Sequence, residues 1–299
     1  MSRMDRVTEQ AALLALLRHR TGGWGAIADS VEAGGSAYEV LVNGEPGEQG
    51  ELFRDGPTPD ERIEVSRTAI KEWEAEGIHL VTLLDHDYPG QLLTIHQRPP
   101  FLFYRGKLDT ADAGGVAVVG TRKPSSTGRE KASEIASGLA RRGVPVISGL
   151  AAGIDTAAHR AALDVGGRTV AVIGTGHRRS YPPENIGLQD ELGRSHLVLS
   201  QFLPDSPPSK ASFPMRNAVM SGYAAATVVV EAAWKSGARI QARLALQHGR
   251  PVFLLDSLLE HDWAREYATW PGTRVVSGPE AVFEQLPEIL TPAQQLVWT

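Results

Sequence analysis

Residues 209–217, SKASFPMRN, set an aromatic ring between two cations. Lys210, Phe213 and Arg216 fall three residues apart, and Asn217 follows directly. Cations neutralise phosphates and a ring stacks on a base, a combination suited to a single-stranded nucleic acid. A core phenylalanine between two solvated charges reads the same, and the stretch alone does not decide between them. A second candidate is VAVVGTR at 116–122. Four apolar residues, three of them β-branched, predict a strand covered on both faces. Gly120, Thr121 and Arg122 then open a loop before a helix near Gly128, with Thr121, Ser125, Ser126 and Thr127 available as caps. A strand-to-helix loop offers free N–H groups and the positive end of a helix dipole to an anion, commonly a phosphate. Arg122 adds a full charge at the same place. One such turn is a weak signal, because an ordinary βα connection has the same composition.

The pattern recurs downstream. Small or polar residues follow other apolar runs at Ser148-Gly149, at Gly174-Thr175-Gly176, and at Glu231 with Ser236-Gly237 close behind. In SGLAAGID, Gly149 and Gly153 allow close backbone approach and Asp155 is placed to cap a helix. His159 lies four residues beyond Asp155, on the same helix face. The pair has the types for acid–base work; a capping Asp and a packed His is the reading with more weight. There is no nucleophile elbow, no Walker lysine and no His/Asp cluster at metal spacing, so no catalytic residue, metal or cofactor is assigned.

The elements that must position these residues alternate. From Gly115 onward, strands are expected at 116–119, 144–147, 169–173, 197–200, 226–231 and 251–255. Helices fall at about 127–142, 154–165, 214–222 and 237–248, with a polar loop after 176. This predicts an α/β fold with a mostly parallel sheet and helices on both faces, and ligands outside the carboxyl ends of the strands. Upstream, 6–20, 22–35 and 60–77 read as helices, the last with an Asp cap. Short strands follow near 78–85 and 101–104. Residues 43–59, rich in Gly, Pro and acid, read as a loop or linker. The expected division is a helical N-terminal domain at 1–77, a Rossmann-like domain at 78–257 and an acidic C-terminal extension at 258–299. Trp263, Trp270 and Trp298 in that extension are expected to pack on the sheet.

At 299 residues with 42% hydrophobic and 22% charged, the composition is that of a globular chain. The absence of cysteine excludes disulfides and thiolate metal sites. No apolar run is long enough to span a bilayer and no signal-peptide pattern opens the chain, so the expectation is a cytoplasmic protein. The net charge of −5 is uneven. Residues 1–113 carry 11 basic and 19 acidic side chains, 114–250 carry 17 and 9, and 251–299 carry 2 and 7. A basic centre between acidic flanks suits a polyanionic partner, although solvated helix faces would give the same count.

Taken in order, VGTR, SGLAAGID with AH following, GTG with YPPEN, FPMRN, and VVVEA with SGA resemble the DprA/Smf family of bacterial DNA-processing proteins. DYPGQLLTIHQRPPFLFYRG resembles the segment preceding the family's Rossmann-like domain, so the likeness covers roughly 78–257. The resemblance implies an extended Rossmann-like fold, commonly homodimeric. It implies binding of single-stranded DNA and assistance in loading the RecA recombinase during natural transformation, without catalysis. It puts Arg122, Lys210, Phe213, Arg216 and Asn217 in the DNA pocket, lined by Ser148, Gly149, Gly174 and Gly176. Gly120, Thr121, Gly153, Ser236 and Gly237 would serve as phosphate loops. The chain departs from the family at Ala218 (a second arginine), Arg178 (an Asp), Gln201 (a Glu) and Gln241 (a Thr), and residues after 257 do not resemble a winged helix. The competing reading is a nucleotide-binding or nucleotide-hydrolysing protein like the phosphoribohydrolases, with Glu231 as its acid. The third is a scaffold that binds neither.

Overall fold

The computed structural model describes residues 5–19, 24–43 and 57–295. Most of the expected linker at 43–59, and Trp298, lie outside these residues. The chain opens with helices α1 (Arg6–His19), α2 (Trp24–Gly34), α3 (Ala37–Asn43) and α4 (Pro59–Ala75). Helix α4 begins at Thr58 rather than at an Asp cap. The Thr58 hydroxyl accepts from the Glu61 N–H at 3.3 Å, and the Glu61 carboxylate accepts from the Thr58 N–H at 2.8 Å. This reciprocal pair satisfies two donors that a helix end otherwise leaves open.

Strands β1 (His79–Thr82) and β2 (Phe101–Gly106) come next, followed by β3 (Val116–Val119), α5 (Ser126–Arg141), β4 (Val146–Ser148), α6 (Ile154–Asp164) and β5 (Thr169–Val172). Then come α7 (Ile186–Ser195), β6 (Leu197–Ser200), α8 (Ser212–Tyr223), β7 (Ala226–Val229), α9 (Gly237–Gln247) and β8 (Val252–Leu255). The chain continues through α10 (Asp262–Ala268), β9 (Thr273–Val276) and α11 (Pro279–Gln295). Helix α7 stands where a polar loop was expected. Its inward face is only Leu188, Gln189 and Leu192, too short a stripe to stand out as a helical period. Residues 258–295 are a working part of the sheet rather than an appendage. Strand β9 pairs with β8, and α11 buries Val282, Leu286 and Ile289 against the face that α5 covers. Half of the six acidic residues of this segment, Glu280, Glu284 and Glu288, recur every four residues on the exposed side of α11.

All nine strands form one sheet in the order β1-β2-β6-β5-β4-β3-β7-β8-β9. From β6 to β9 every pairing is parallel; β1–β2 and β2–β6 are antiparallel. The sheet is therefore mostly parallel and Rossmann-like, as expected. Central strands are buried along their whole length, which is why they read as unbroken apolar runs. The chain builds outward from β3 through β4, β5 and β6, then returns to the other side of β3 with β7. Two neighbouring strands whose connections leave in opposite directions open a crevice at their carboxyl ends. Here that crevice lies between β3 and β7.

One sheet face is covered by α8, α9 and α10, with Tyr223, Trp263 and Tyr267 buried beneath them. The other is covered by α5, α6 and α11. The N-terminal helices share their core with the strands: Ile63, Ile70 and Trp73 pack with Leu80, Phe101 and Phe103. Trp73 meets Phe103 edge-on at 5.1 Å. Arg178, an Asp in the family pattern, bridges the same junction. Its Nε donates to Glu76 at 2.8 Å and its Nη1 to Asp205 at 2.8 Å. Two buried histidines also serve as ties. His177 Nε2 lies 3.1 Å from the Phe103 carbonyl, and His159 Nδ1 lies 2.7 Å from the Thr169 hydroxyl. Burial holds the first down at about 4 and the second at about 3. A fully buried carboxylate, Asp112, accepts from Arg168 Nε at 2.5 Å, from Arg168 Nη2 at 2.7 Å and from the Tyr223 hydroxyl at 2.8 Å. It locks the approach to β3 against β5 and α8.

Removing Arg168 strands the Asp112 charge in the core, so Arg168→Ala should cost about 3–5 kcal/mol of stability in denaturant unfolding. Tyr223→Phe removes one neutral donor and should cost about 1–2 kcal/mol; equal losses from the two would contradict this network. Acid should also destabilise the fold. Below about pH 6.5 the unfolded chain binds protons that His159 and His177 refuse in the native state. Stability should therefore fall by about 2 kcal/mol for each between pH 7 and pH 5. The His159→Gln variant, unfolded at both pH values, should show a correspondingly smaller drop.

Candidate functional site

The crevice predicted by the strand order is a cleft of about 580 Å³. Its walls come from the β3 end (Gly120 to Lys123), the turn before α6, the first half of α8, and the turn from β7 into α9. Of the residues singled out in the sequence, Gly120, Thr121, Arg122, Phe213, Arg216, Asn217, Ser236 and Gly237 meet here. Ser148, Gly149, Gly174, Gly176 and Lys210 do not line it. Lys210 is exposed on the turn leading into α8, and Gly153 borders an adjoining groove.

Arg122 and Phe213 form the centre of the cleft wall. The Arg122 guanidinium carbon lies 5.4 Å from the centroid of the Phe213 ring and 5.7 Å from that of Tyr181. The two rings are 5.3 Å apart and tilted by 48°. Phe213 is therefore not a core residue: it is partly exposed and clustered with a cation and a second ring. Gly174 supports it from behind, since a Cβ there would stand 2.9 Å from the Phe213 ring. Tyr181 is 38% exposed and was quoted only as part of YPPEN. Lys123 and Lys235 also line the cleft and were not singled out. Both are single charges beside loop glycines, a signal indistinguishable from an ordinary surface lysine.

Arg216 has a different place from the one its neighbours in the motif suggest. It is 6% exposed, and its Nη1 donates to the Val172 carbonyl at 2.8 Å and to the Gly149 carbonyl. It thus ties the carboxyl ends of β4 and β5 to α8. Gly149 is required at this approach, since any Cβ would collide with the guanidinium. The buried Asp155 accepts from the Gly149 N–H at 3.1 Å and the Ala151 N–H at 3.3 Å, on either side of Leu150 at φ +56°. Burial pushes the Asp155 carboxyl up and the Arg216 guanidinium down, and each charge opposes the shift of the other. Asp155 and His159 are not an acid–base pair: one holds a loop, the other bonds Thr169. Ser148 is fully buried, with its hydroxyl donating to the Val118 carbonyl at 2.7 Å.

The phosphate-loop expectation at β3 meets an internal anion. Glu231 reaches from the end of β7 to the start of α5. Its carboxylate accepts from the Ser125 N–H at 3.1 Å and the Ser125 hydroxyl at 2.9 Å, and that hydroxyl caps α5 by accepting from the Gly128 N–H at 2.9 Å. The Thr121 N–H donates to the Glu231 carbonyl at 2.7 Å. Glu231 thus takes part of the donor set at the start of α5 that an anion would use. At α9, Ser236 accepts from the Ala238 N–H at 3.2 Å, and Asn217 donates to the Gly237 carbonyl at 3.1 Å. The Gly176 N–H bonds the Ser206 carbonyl at 2.9 Å. The cleft also presents side-chain charge and aromatic surface.

Two of the family departures fall away from the cleft wall. Ala218 and Gln201 line one groove of about 660 Å³ on the other side of α8. An arginine and a glutamate at these positions would both border it; this chain carries neither charge. Gln241 is fully buried. In the amide orientation that satisfies its neighbours, it donates to the Asn217 carbonyl at 2.9 Å and accepts from the Ser221 N–H at 3.2 Å. It therefore cross-links α8 and α9 beneath the cleft. Among the described residues no cluster of three metal-ligating side chains occurs, and no helix is long and apolar enough to cross a membrane.

The family model for DNA recombination-mediator protein A matches residues 79–278. The DNA processing protein DprA of Bacillus subtilis is 34% identical over 226 residues, 73% of this chain and 75% of that protein. DprA of Streptococcus pneumoniae is 45% identical over 174 residues, 58% of this chain and 61% of that protein. The X-ray structure of the Streptococcus pneumoniae protein superposes with a TM-score of 0.71 at 30% identity, over 92% of this chain and 97% of that one. DNA processing protein A from Helicobacter pylori superposes with a TM-score of 0.61 at 27% identity, over 70% and 96%. Together with the switch-point cleft, these matches place the chain in the DprA/Smf family of DNA recombination mediators.

Proposed function

We propose that this chain binds single-stranded DNA in the β3–β7 cleft without catalysis. On the family pattern it then assists the loading of a RecA-like recombinase on incoming DNA during natural transformation, as a homodimer in the cytoplasm. The observation that carries the reading is Arg122 set against Phe213 and Tyr181 in a cleft rimmed by Lys123 and Lys235. Rings offer every base a stacking face, and the flexible cations track phosphates without reading sequence. The adjoining groove continues the same chemistry through Arg129 and Arg160 beside Arg122 and Lys123. The Helicobacter pylori relative is described for its single-stranded DNA binding mode, which supports the same use of this fold. Against the nucleotide-hydrolase alternative, its acid Glu231 accepts from the Ser125 N–H and hydroxyl at the start of α5.

The reading separates residues that bind from residues that hold the cleft open. Fluorescence anisotropy with a labelled oligonucleotide at two salt concentrations should show tight, salt-sensitive binding. Phe213→Ala should weaken it by about 1–3 kcal/mol with little change in salt slope. Lys123→Ala should weaken it and lower the slope by roughly one phosphate contact. No binding by the intact chain at low salt would sink the proposal. Arg216→Ala, in contrast, should cost about 3–5 kcal/mol of fold stability, since it leaves the Asp155 charge and two strand-end carbonyls unpaired. A stable Arg216→Ala protein that merely binds less tightly would reassign Arg216 to the DNA.

A further inference from the structure

The turn from β7 into α9, which contributes Ala233 and Lys235 to the cleft, also carries a stack of flat side chains. Trp234 lies in the turn from β7 into α9, between Ala233 and Lys235, which both line the cleft. Its indole is 55% exposed, the largest side chain among the exposed hydrophobics of the described residues. It is nevertheless held. The Arg239 guanidinium carbon lies 3.8 Å from the indole centroid, and Arg239 Nη1 donates to the Trp234 carbonyl at 3.3 Å. On its other side Arg239 lies 5.8 Å from the ring of the buried Tyr267. Tyr267 in turn stacks on Trp270 at 4.2 Å with 25° between planes. Trp270, Tyr267, Arg239 and Trp234 thus form a ladder anchored on the buried Tyr267 and ending at the exposed indole.

We propose that the open indole face of Trp234 is a second base-stacking platform for the strand held at Phe213; the proposal rests on the single-stranded DNA reading above. The cation behind the ring fixes its plane in advance, so that little freedom is lost when a flat partner adds to the ladder. An exposed tryptophan also suits a protein contact. The adjoining Lys235, with Arg122 and Lys123 lining the same cleft, favours a polyanion whose bases meet the ring while its phosphates meet the cations.

The test compares wild type, Trp234→Ala, Trp234→Phe and Phe213→Ala on an oligothymidylate and on an abasic strand of equal length. Trp234→Ala should weaken oligothymidylate binding roughly five- to a hundred-fold, with an unchanged salt slope. Trp234→Phe should restore most of it. On the abasic strand Trp234→Ala should bind as wild type does, a difference that a general structural defect would not produce. Thermal melting confirms that each variant is folded. If wild type and Phe213→Ala differ as expected but Trp234→Ala binds like wild type, the platform is overturned and the cleft reading stands. The same holds if Trp234→Ala alters only the oligomeric state. If wild type binds neither strand, both fall together.

Discussion

A guanidinium left only 6% exposed must find its acceptors in the fold, and Arg216 finds them in the ends of two strands. By drawing in the carbonyls of Gly149 and Val172, it fixes how β4 and β5 stop relative to α8. Asp155 supplies the compensating charge and pins the loop between them. Removing either partner would leave the other ionised in a low-dielectric site. Phe213 sits one helical turn before Arg216, so the tether also sets where the exposed ring projects. The wall of the cleft is thus positioned from underneath, by a residue that itself faces the core.

Much of this was legible in the sequence because parallel strands buried on both faces leave an unmistakable signature. VAVV, TVAV and ATVV each read as strands and are strands. The alternation gave the parallel sheet, and the sheet gave the carboxyl-end location of the cleft. Motif order gave the family. Less legible were elements with a narrow apolar stripe. Helix α7 buries two leucines and a glutamine, and β9 is a partly exposed edge strand, so neither stands out against polar surroundings. Adjacent motif positions were also indistinguishable by type. Phe213 faces the cleft, whereas Arg216 braces the floor beneath it. Spacing of three residues put them on one helix face, but only packing decides which of the two is buried.

The departures from the family pattern are accommodated rather than scattered. Arg178 gains two carboxylate partners at the junction with the N-terminal helices. Gln241 joins α8 to α9 through backbone groups. Ala218 and Gln201, two uncharged residues, border a single groove.

Glu231 changes what kind of grip the cleft can have. In many βα scaffolds the deepest seat, at the helix N-terminus, clamps one phosphate firmly. Here the chain's own carboxylate already holds the Ser125 N–H and hydroxyl at that seat. Sharing that seat with Glu231 shifts the weight of any polyanion contact toward the cations and rings spread along the cleft. Such a ligand can shift by one unit while most contacts persist, and can be peeled away from one end without a single large barrier. The internal carboxylate therefore favours a hold that is firm in sum and quick to yield.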